Sequence, residues 1–75
     1  MFRAEIEVIN SKDPEAVFIA LKPESGEGRR FISRVERRDG SVLITIEAED
    51  PVALRAAVNS YLRLLGLLHD TEEEL

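Results

Sequence analysis

Few side chains in this sequence could carry out chemistry, and their spacing does not bring them together. The chain has no cysteine, which excludes disulfides and thiolate zinc sites. His69 is the only histidine, and one imidazole does not build a metal site without several carboxylates beside it. No histidine is placed to activate a serine or threonine hydroxyl. Phosphate-binding loops, nucleophile elbows and dinucleotide fingerprints are also missing. These observations predict a protein that is not an enzyme and that uses no metal or cofactor.

Arginines form the other group of candidate residues, because half of all cations fall within ten residues: Arg29, Arg30, Arg34, Arg37 and Arg38. Arginine contacts nucleic-acid phosphates, which makes these side chains candidates for such contacts. The alternative is a charged strand face that pairs with Glu36, Glu47 and Glu49 across strands. Phe31 is the only aromatic residue nearby, which argues against base stacking. The net charge of −5 argues against a free-standing, salt-driven nucleic-acid binder.

Alternating apolar and polar residues predict three strands that must position these side chains. They cover residues 2–9, 30–38 and 41–49. Asp39-Gly40 predicts a two-residue hairpin between the last two strands. Residues 24–28 are interpreted as a flexible loop.

Two Asp-Pro pairs predict the starts of two helices, since Asp is a good N-cap and Pro suits the first helical position. The first helix follows Asp13-Pro14 and stops before Pro23, with one apolar face formed by Ala16, Val17, Ala20 and Leu21. The second runs from Pro51 to about Leu65 or Leu68, with Gly66 as a candidate C-terminal cap.

This order of elements (β-α-β-β-α) predicts an α+β fold, a three-stranded antiparallel sheet with two helices on one face. Residues 1–69 form a single domain in this interpretation, and residues 70–75 form an acidic, solvated tail. The sequence shows no signal peptide and no membrane-spanning run, so a soluble, cytoplasmic protein is expected.

The second helix is apolar around most of its circumference. One stripe contains Leu54, Val58, Tyr61, Leu65 and Leu68. A second contains Ala53, Ala57, Leu64 and Leu67, with Ser60 as a small gap, and the polar ridge is Arg55, Asn59 and Arg63. One stripe could meet the sheet and the other the first helix, but that helix is short. The uncovered stripe therefore predicts a surface for another protein. The open sheet edges predict a homodimer through edge pairing.

The stretch Leu54-Arg55-Ala56-Ala57-Val58-Asn59-Ser60-Tyr61-Leu62-Arg63, preceded by Glu49-Asp50, resembles the hallmark of the small dimerising subunit of the KEOPS complex, the CTAG/Pcc family. Shorter pieces elsewhere agree with this resemblance: Ala4-Glu5-Ile6-Glu7, Ala20-Leu21-Lys22-Pro23-Glu24 and Ser33-Arg34-Val35. The family has also been described as transcription factors.

The resemblance implies a non-catalytic subunit of a complex that makes threonylcarbamoyladenosine in tRNAs reading codons that start with adenine. A separate ASKHA-fold subunit carries out the transfer. The small subunit binds the N-terminal helices of that catalytic subunit through its own helices. It dimerises through its sheet, with itself or with a related small subunit, and assists tRNA binding within the complex.

Pattern and resemblance together predict a partner-binding surface on the second helix. Ala57, Leu64 and Leu67 are expected to face the partner helices, and Arg55, Asn59 and Arg63 are expected at the rim; the whole surface is Ala53, Arg55, Ala57, Asn59, Ser60, Arg63, Leu64 and Leu67. The arginines at 29, 30, 34, 37 and 38 are the candidate tRNA contacts. The alternative hypothesis is a small RNA-binding module that acts alone through its Arg-rich second strand.

Overall fold

A four-stranded antiparallel sheet and two α-helices make up the part of the chain that the structure describes. The computed structural model covers residues 1–28 and 30–74, and the side chains of residues 71–74 lie outside the description. The elements are β1 (Phe2–Ile9), α1 (Pro14–Leu21), a 3₁₀ turn (Lys22–Glu24), β2 (Gly26–Glu27), β3 (Phe31–Arg38), β4 (Ser41–Ala48) and α2 (Pro51–Glu74). The predicted α+β class is confirmed.

Strand β4 is the centre of the sheet, whose order is β1-β4-β3-β2. It pairs antiparallel along its full length with β1 on one side, from Phe2↔Ala48 to Ile9↔Ser41. On the other side it pairs with β3, from Phe31↔Ala48 to Arg38↔Ser41. The predicted Asp39-Gly40 hairpin is confirmed, and Gly40 adopts a φ of 76° that other residues rarely reach.

The prediction of three strands is wrong by one short strand. Residues 26–27, interpreted from sequence as part of a flexible loop, form β2 and pair with Ser33 and Ile32 of β3. Gly26 makes this possible with a φ of 140°, and the Gly28 amide then donates to the Phe31 carbonyl at 2.7 Å. A two-residue strand gives no alternation to read, which is why the sequence pattern did not show it.

Both helices pack on the same face of the sheet, as predicted. The buried residues of β3 and β4 on that face alternate along each strand and meet Val17 and Leu21 of α1 and Ala57 and Tyr61 of α2. The strand residues of this core are Val35, Val42, Ile44 and Ile46. Helix α1 lies mainly over β3 and β4, whereas α2 crosses β4 and β1.

Helix α1 is short and buries a narrow face. Asp13 caps it by accepting a hydrogen bond from the Ala16 amide at 3.1 Å, and the chain then tightens into the 3₁₀ turn that contains Pro23. Val17 and Leu21 are buried as predicted, but Ala16 and Ala20 are exposed. With only eight residues, this helix cannot cover the length of α2.

Helix α2 is longer than predicted. It passes through Gly66 without ending and continues to Glu74, so residues 70–74 extend the helix instead of forming a separate tail, and Leu75 lies outside the described residues. At 1.5 Å per residue, 24 residues span about 36 Å, whereas an eight-residue strand spans about 26 Å. The helix therefore projects past the sheet. No helix in the described part of the chain is long and apolar enough to cross a membrane.

Candidate partner-docking surface

The start of helix α2 is fixed by Asp50, which does two things at once. One carboxylate oxygen accepts a hydrogen bond from the Ala53 amide at 2.8 Å, which caps the helix. The other is paired with the guanidinium of Arg30, at the start of the segment that leads into β3. The Glu49 amide also donates to the Arg30 carbonyl at 3.1 Å. These contacts hold the first turn of α2 beside Phe31.

One face of α2 is anchored in the core. Tyr61 is 3% exposed, and its hydroxyl lies 2.8 Å from the Ser33 hydroxyl, so each buried group satisfies the other. The rest of the predicted stripe also packs on the core and is partly buried: Leu54, Val58, Leu65 and Leu68. The prediction that this stripe meets the body of the domain is confirmed.

Beside the anchored face, α2 carries a band of small and apolar side chains, here named the small-residue flank: Ala53, Ala56, Ser60, Leu64 and Leu67. At 100° per residue these positions fall within about 80° of one another on the helix. Ala53 and Leu64 are partly buried, Ala56 and Ser60 are exposed, and Leu67 is 61% exposed. Ala53, Ser60 and Leu67 stand seven residues apart, which is the spacing of a seam between helices.

The flank opens onto a depression at the start of β3. Its volume is about 320 Å³, and Arg30, Phe31, Ala53 and Ala56 line it. Gly28 leaves room for the Phe31 ring, because a Cβ at position 28 would lie 2.9 Å from it. The depression therefore combines an aromatic side chain, two alanine methyl groups and an arginine at its edge.

The predicted partner-binding residues separate into three groups. Ala53, Ser60, Leu64 and Leu67 belong to the small-residue flank. Arg55, Asn59 and Arg63 are exposed and form the polar ridge that the spacing predicted. Ala57 differs from the expectation: it is 4% exposed and packs in the core of its own chain, so its methyl group has little surface to offer a partner.

The four described arginines among the five predicted contacts do not form one cluster. Arg34 and Arg38 lie on the face of the sheet away from the helices, and Arg38 is 3.9 Å from Glu36. Arg37 lies on the helix side and pairs with Glu15 of α1, while Arg30 pairs with Asp50. Arg29 lies outside the described residues. Two of these arginines thus join elements of this chain to each other.

Within the described residues, no group of three histidine, aspartate or glutamate side chains could hold a metal ion. Every buried side-chain nitrogen and oxygen in that part of the chain also has a hydrogen-bond partner. No unsatisfied buried group is left to mark a ligand site there.

A family model described as transcription factor Pcc1 matches residues 1–73. The chain belongs to the Pcc1 family. The match includes all four strands, helix α1 and α2 up to its penultimate residue. Membership of the Pcc1 family implies a subunit associated with a KEOPS-type complex. Comparison with curated proteins and with solved structures gave no match.

Sequence reasoning left two contributors out of the site of this Pcc1-family chain. Ala56 is exposed on the small-residue flank, yet it was not among the predicted partner-binding residues. Phe31 also lines the depression, although it belongs to β3 and not to α2. The seven-residue spacing of Ala53, Ser60 and Leu67 contained the signal for Ala56, which follows Ala53 by three positions. The sequence around Phe31 contains no pattern that indicates its position beside α2.

Proposed function

We propose that this chain is a non-catalytic assembly subunit of the KEOPS complex. It docks its small-residue flank on the N-terminal helices of the ASKHA-fold catalytic subunit and so supports the threonylcarbamoyladenosine modification of tRNA. It pairs with a second small subunit through its sheet. The observation that carries the proposal is the exposed flank with its adjoining depression, on the longest helix of a Pcc1-family chain.

Small side chains suit this role because they let two helix axes approach to about 8 Å. Alanine and serine lose little side-chain entropy when a partner covers them. The depression beside Phe31 can receive one larger apolar side chain from the facing helix, and such a filled pocket is typical of the residues that dominate binding energy. Arg55, Asn59 and Arg63 on the adjoining ridge are then placed for polar contacts at the rim.

Three glutamate substitutions on α2 test the docking face. Ala56→Glu places a charge on the small-residue flank, and Leu62→Glu places the same charge at an apolar position that is 50% exposed on the other side of the helix. We expect Ala56→Glu to weaken binding to the catalytic subunit about thirtyfold or more, and Leu62→Glu to change it less than threefold. Titration calorimetry of folded variants measures both.

The third substitution separates docking from folding. Ala57→Glu forces a charge into a core position that is 4% exposed, so we expect it to lower the free energy of unfolding by about 3 kcal/mol or more. Loss of binding in this variant would report unfolding alone. Two outcomes would contradict the proposed face. In one, Ala56→Glu and Leu62→Glu weaken binding equally; in the other, neither substitution weakens it.

The tRNA contribution in this proposal is limited to contacts made inside the complex. Arg34 and Arg38, on the sheet face away from the helices, are the candidates for phosphate contacts, because Arg30 and Arg37 are engaged in ion pairs between elements. The same distribution weighs against the alternative of a stand-alone RNA-binding module. Such a module needs a concentrated basic surface, and this chain carries a net charge of −5.

A further inference from the structure

Gly28 lies opposite Phe31 at the edge of the sheet. The pair Gly26↔Ser33 fixes the register of β2 and β3, and two residues further along β2 the same register places position 28 across from position 31. The Gly28 amide donates to the Phe31 carbonyl at 2.7 Å, as expected of opposite residues in antiparallel strands. Opposite residues share a face of the sheet. A side chain at position 28 would therefore lie on the helix side, where the Phe31 ring packs against the core.

The backbone conformation at Gly28 does not require a glycine. Among the described glycines, the two with a positive φ are Gly26 and Gly40. The Phe31 ring is what limits the residue at position 28, because a Cβ there would lie 2.9 Å from one ring atom and 3.2 Å from two others. These distances are shorter than the separation of about 3.5–4.0 Å at which carbon atoms attract each other. An alanine at position 28 would fit only if the ring moved.

The Phe31 ring separates two depressions. One is the depression of about 320 Å³ at the docking surface, where Ala53 and Ala56 are also lining residues. The other has a volume of about 190 Å³ and is lined by both Phe31 and Gly28, whereas Gly28 does not line the first. The ring thus stands between position 28 and the start of α2. A ring pushed away from position 28 would move toward Ala53 and Ala56 and reduce the space beside them.

We propose that Gly28 determines the size of the partner side chain that the docking surface accepts. Because it has no side chain, the Phe31 ring can lie over the edge of the sheet, and the depression stays open for one large apolar side chain from the facing helix. The ring in turn covers the bare backbone of an edge glycine. Gly28 is a positioning residue that acts through Phe31. This inference rests on the proposed function in one respect, that the small-residue flank is the docking face.

Methyl NMR of the free chain tests the displacement of the ring without a partner. Gly28→Ala should move the Ala53 and Ala56 methyl resonances, because an aromatic ring shifts the signals of methyl groups close to it. The Leu62 methyl groups, on the other side of the helix, should stay in place. Gly40→Ala is the matched control. It adds the same methyl group in the hairpin between β3 and β4, where no atom lies within 4 Å of a built Cβ, and should leave both alanine signals unchanged.

Titration calorimetry with the catalytic subunit measures the consequence for docking. We expect Gly28→Ala to raise the dissociation constant about tenfold, because the facing side chain loses part of its contact in the depression. Gly40→Ala should change it less than threefold, although a φ of 76° is unfavourable for alanine and should lower the urea midpoint. A purely structural role for Gly28 would instead weaken docking only as far as it lowers the folded fraction.

Phe31→Val supplies a rescue test, because valine has none of the ring atoms that a methyl group at position 28 would meet. In the Phe31→Val background, Gly28→Ala should change the dissociation constant less than twofold. A full tenfold effect of Gly28→Ala in that background would overturn the proposal, since the effect would then not pass through Phe31.

The outcomes separate this inference from the function on which it rests. If Ala56→Glu weakens docking and Leu62→Glu does not, the docking face stands. Unchanged docking by Gly28→Ala, or alanine methyl signals that do not move, would then overturn the role of Gly28 alone. If neither Ala56→Glu nor Gly28→Ala weakens docking, both the docking face and the role of Gly28 are wrong.

Discussion

Two neighbouring alanines on α2 show how far single residues can differ in role. Ala57 is 4% exposed and packs in the core, while Ala56 is exposed on the small-residue flank. Helical periodicity turns the chain by 100° between them, which is enough to move a methyl group from core to surface. The sequence predicted the core stripe correctly because its members are large and regularly spaced. The sequence could not show which of the two alanines is buried, because alanine is compatible with both the core and the surface.

The Tyr61–Ser33 pair is a second feature that local sequence could not show, since the residues are 28 positions apart. Each hydroxyl is buried and has the other as its partner. Tyr61 could be predicted as a core residue from its place in the stripe. Its polar partner depends on the way α2 crosses the sheet, which only the tertiary fold defines.

Tyr61→Phe is expected to lower the free energy of unfolding by about 1–2 kcal/mol, because it leaves the Ser33 hydroxyl buried without a partner. Adding Ser33→Ala should cost little more, since the orphaned group is then gone. Urea denaturation at one fixed protein concentration measures the three variants. Effects of the two substitutions that simply add would contradict the hydrogen bond as the source of the loss.

At the scale of elements, helix starts were easier to predict than helix ends. Asp13-Pro14 and Asp50-Pro51 begin both helices as predicted, and both aspartates accept hydrogen bonds from amides three residues later. Gly66 was expected to be a possible end of α2, yet the helix continues past it to Glu74. Glycine is common at helix ends but is tolerated inside a helix at a cost of about 1 kcal/mol.

Gly66→Ala tests this difference. No atom other than those of its own helix lies within 4 Å of a Cβ built at position 66, so alanine fits without a clash. We expect the substitution to raise the free energy of unfolding by about 0.5–1 kcal/mol, because alanine loses less backbone entropy in a helix. Thermal denaturation followed by circular dichroism measures it. A loss of stability would instead indicate that Gly66 ends the helix in solution.

The whole molecule presents its two proposed contact surfaces in different places. The small-residue flank adjoins Phe31 at the start of β3, whereas the open edge is β1, on the other side of β4. One chain could therefore hold a catalytic subunit and a second small subunit at the same time. The apolar pattern of α2 predicted the need for a partner, and a domain of 75 residues also has little core of its own. It could not place the surfaces, because the flank depends on which face of α2 the sheet covers and the open edge depends on the order of the strands.

The isolated chain is expected to bind tRNA weakly. Its net charge is −5, and the described arginines near β3 are divided between the two faces of the sheet, with Arg30 and Arg37 engaged in ion pairs. Fluorescence anisotropy with labelled tRNA at increasing salt should show only weak binding, which disappears by physiological ionic strength. Tight binding at that salt concentration would instead favour the stand-alone RNA-binding module.

The most direct test of the account is a methyl NMR footprint of the labelled chain on the catalytic subunit. Cross-saturation from an otherwise deuterated complex identifies the methyl groups that lie at the interface. We predict strong effects at Ala53, Ala56 and Leu64, and weak effects at Leu62, which is 50% exposed on the other side of the same helix. Effects centred on Leu62, or no binding at all, would contradict docking through the small-residue flank.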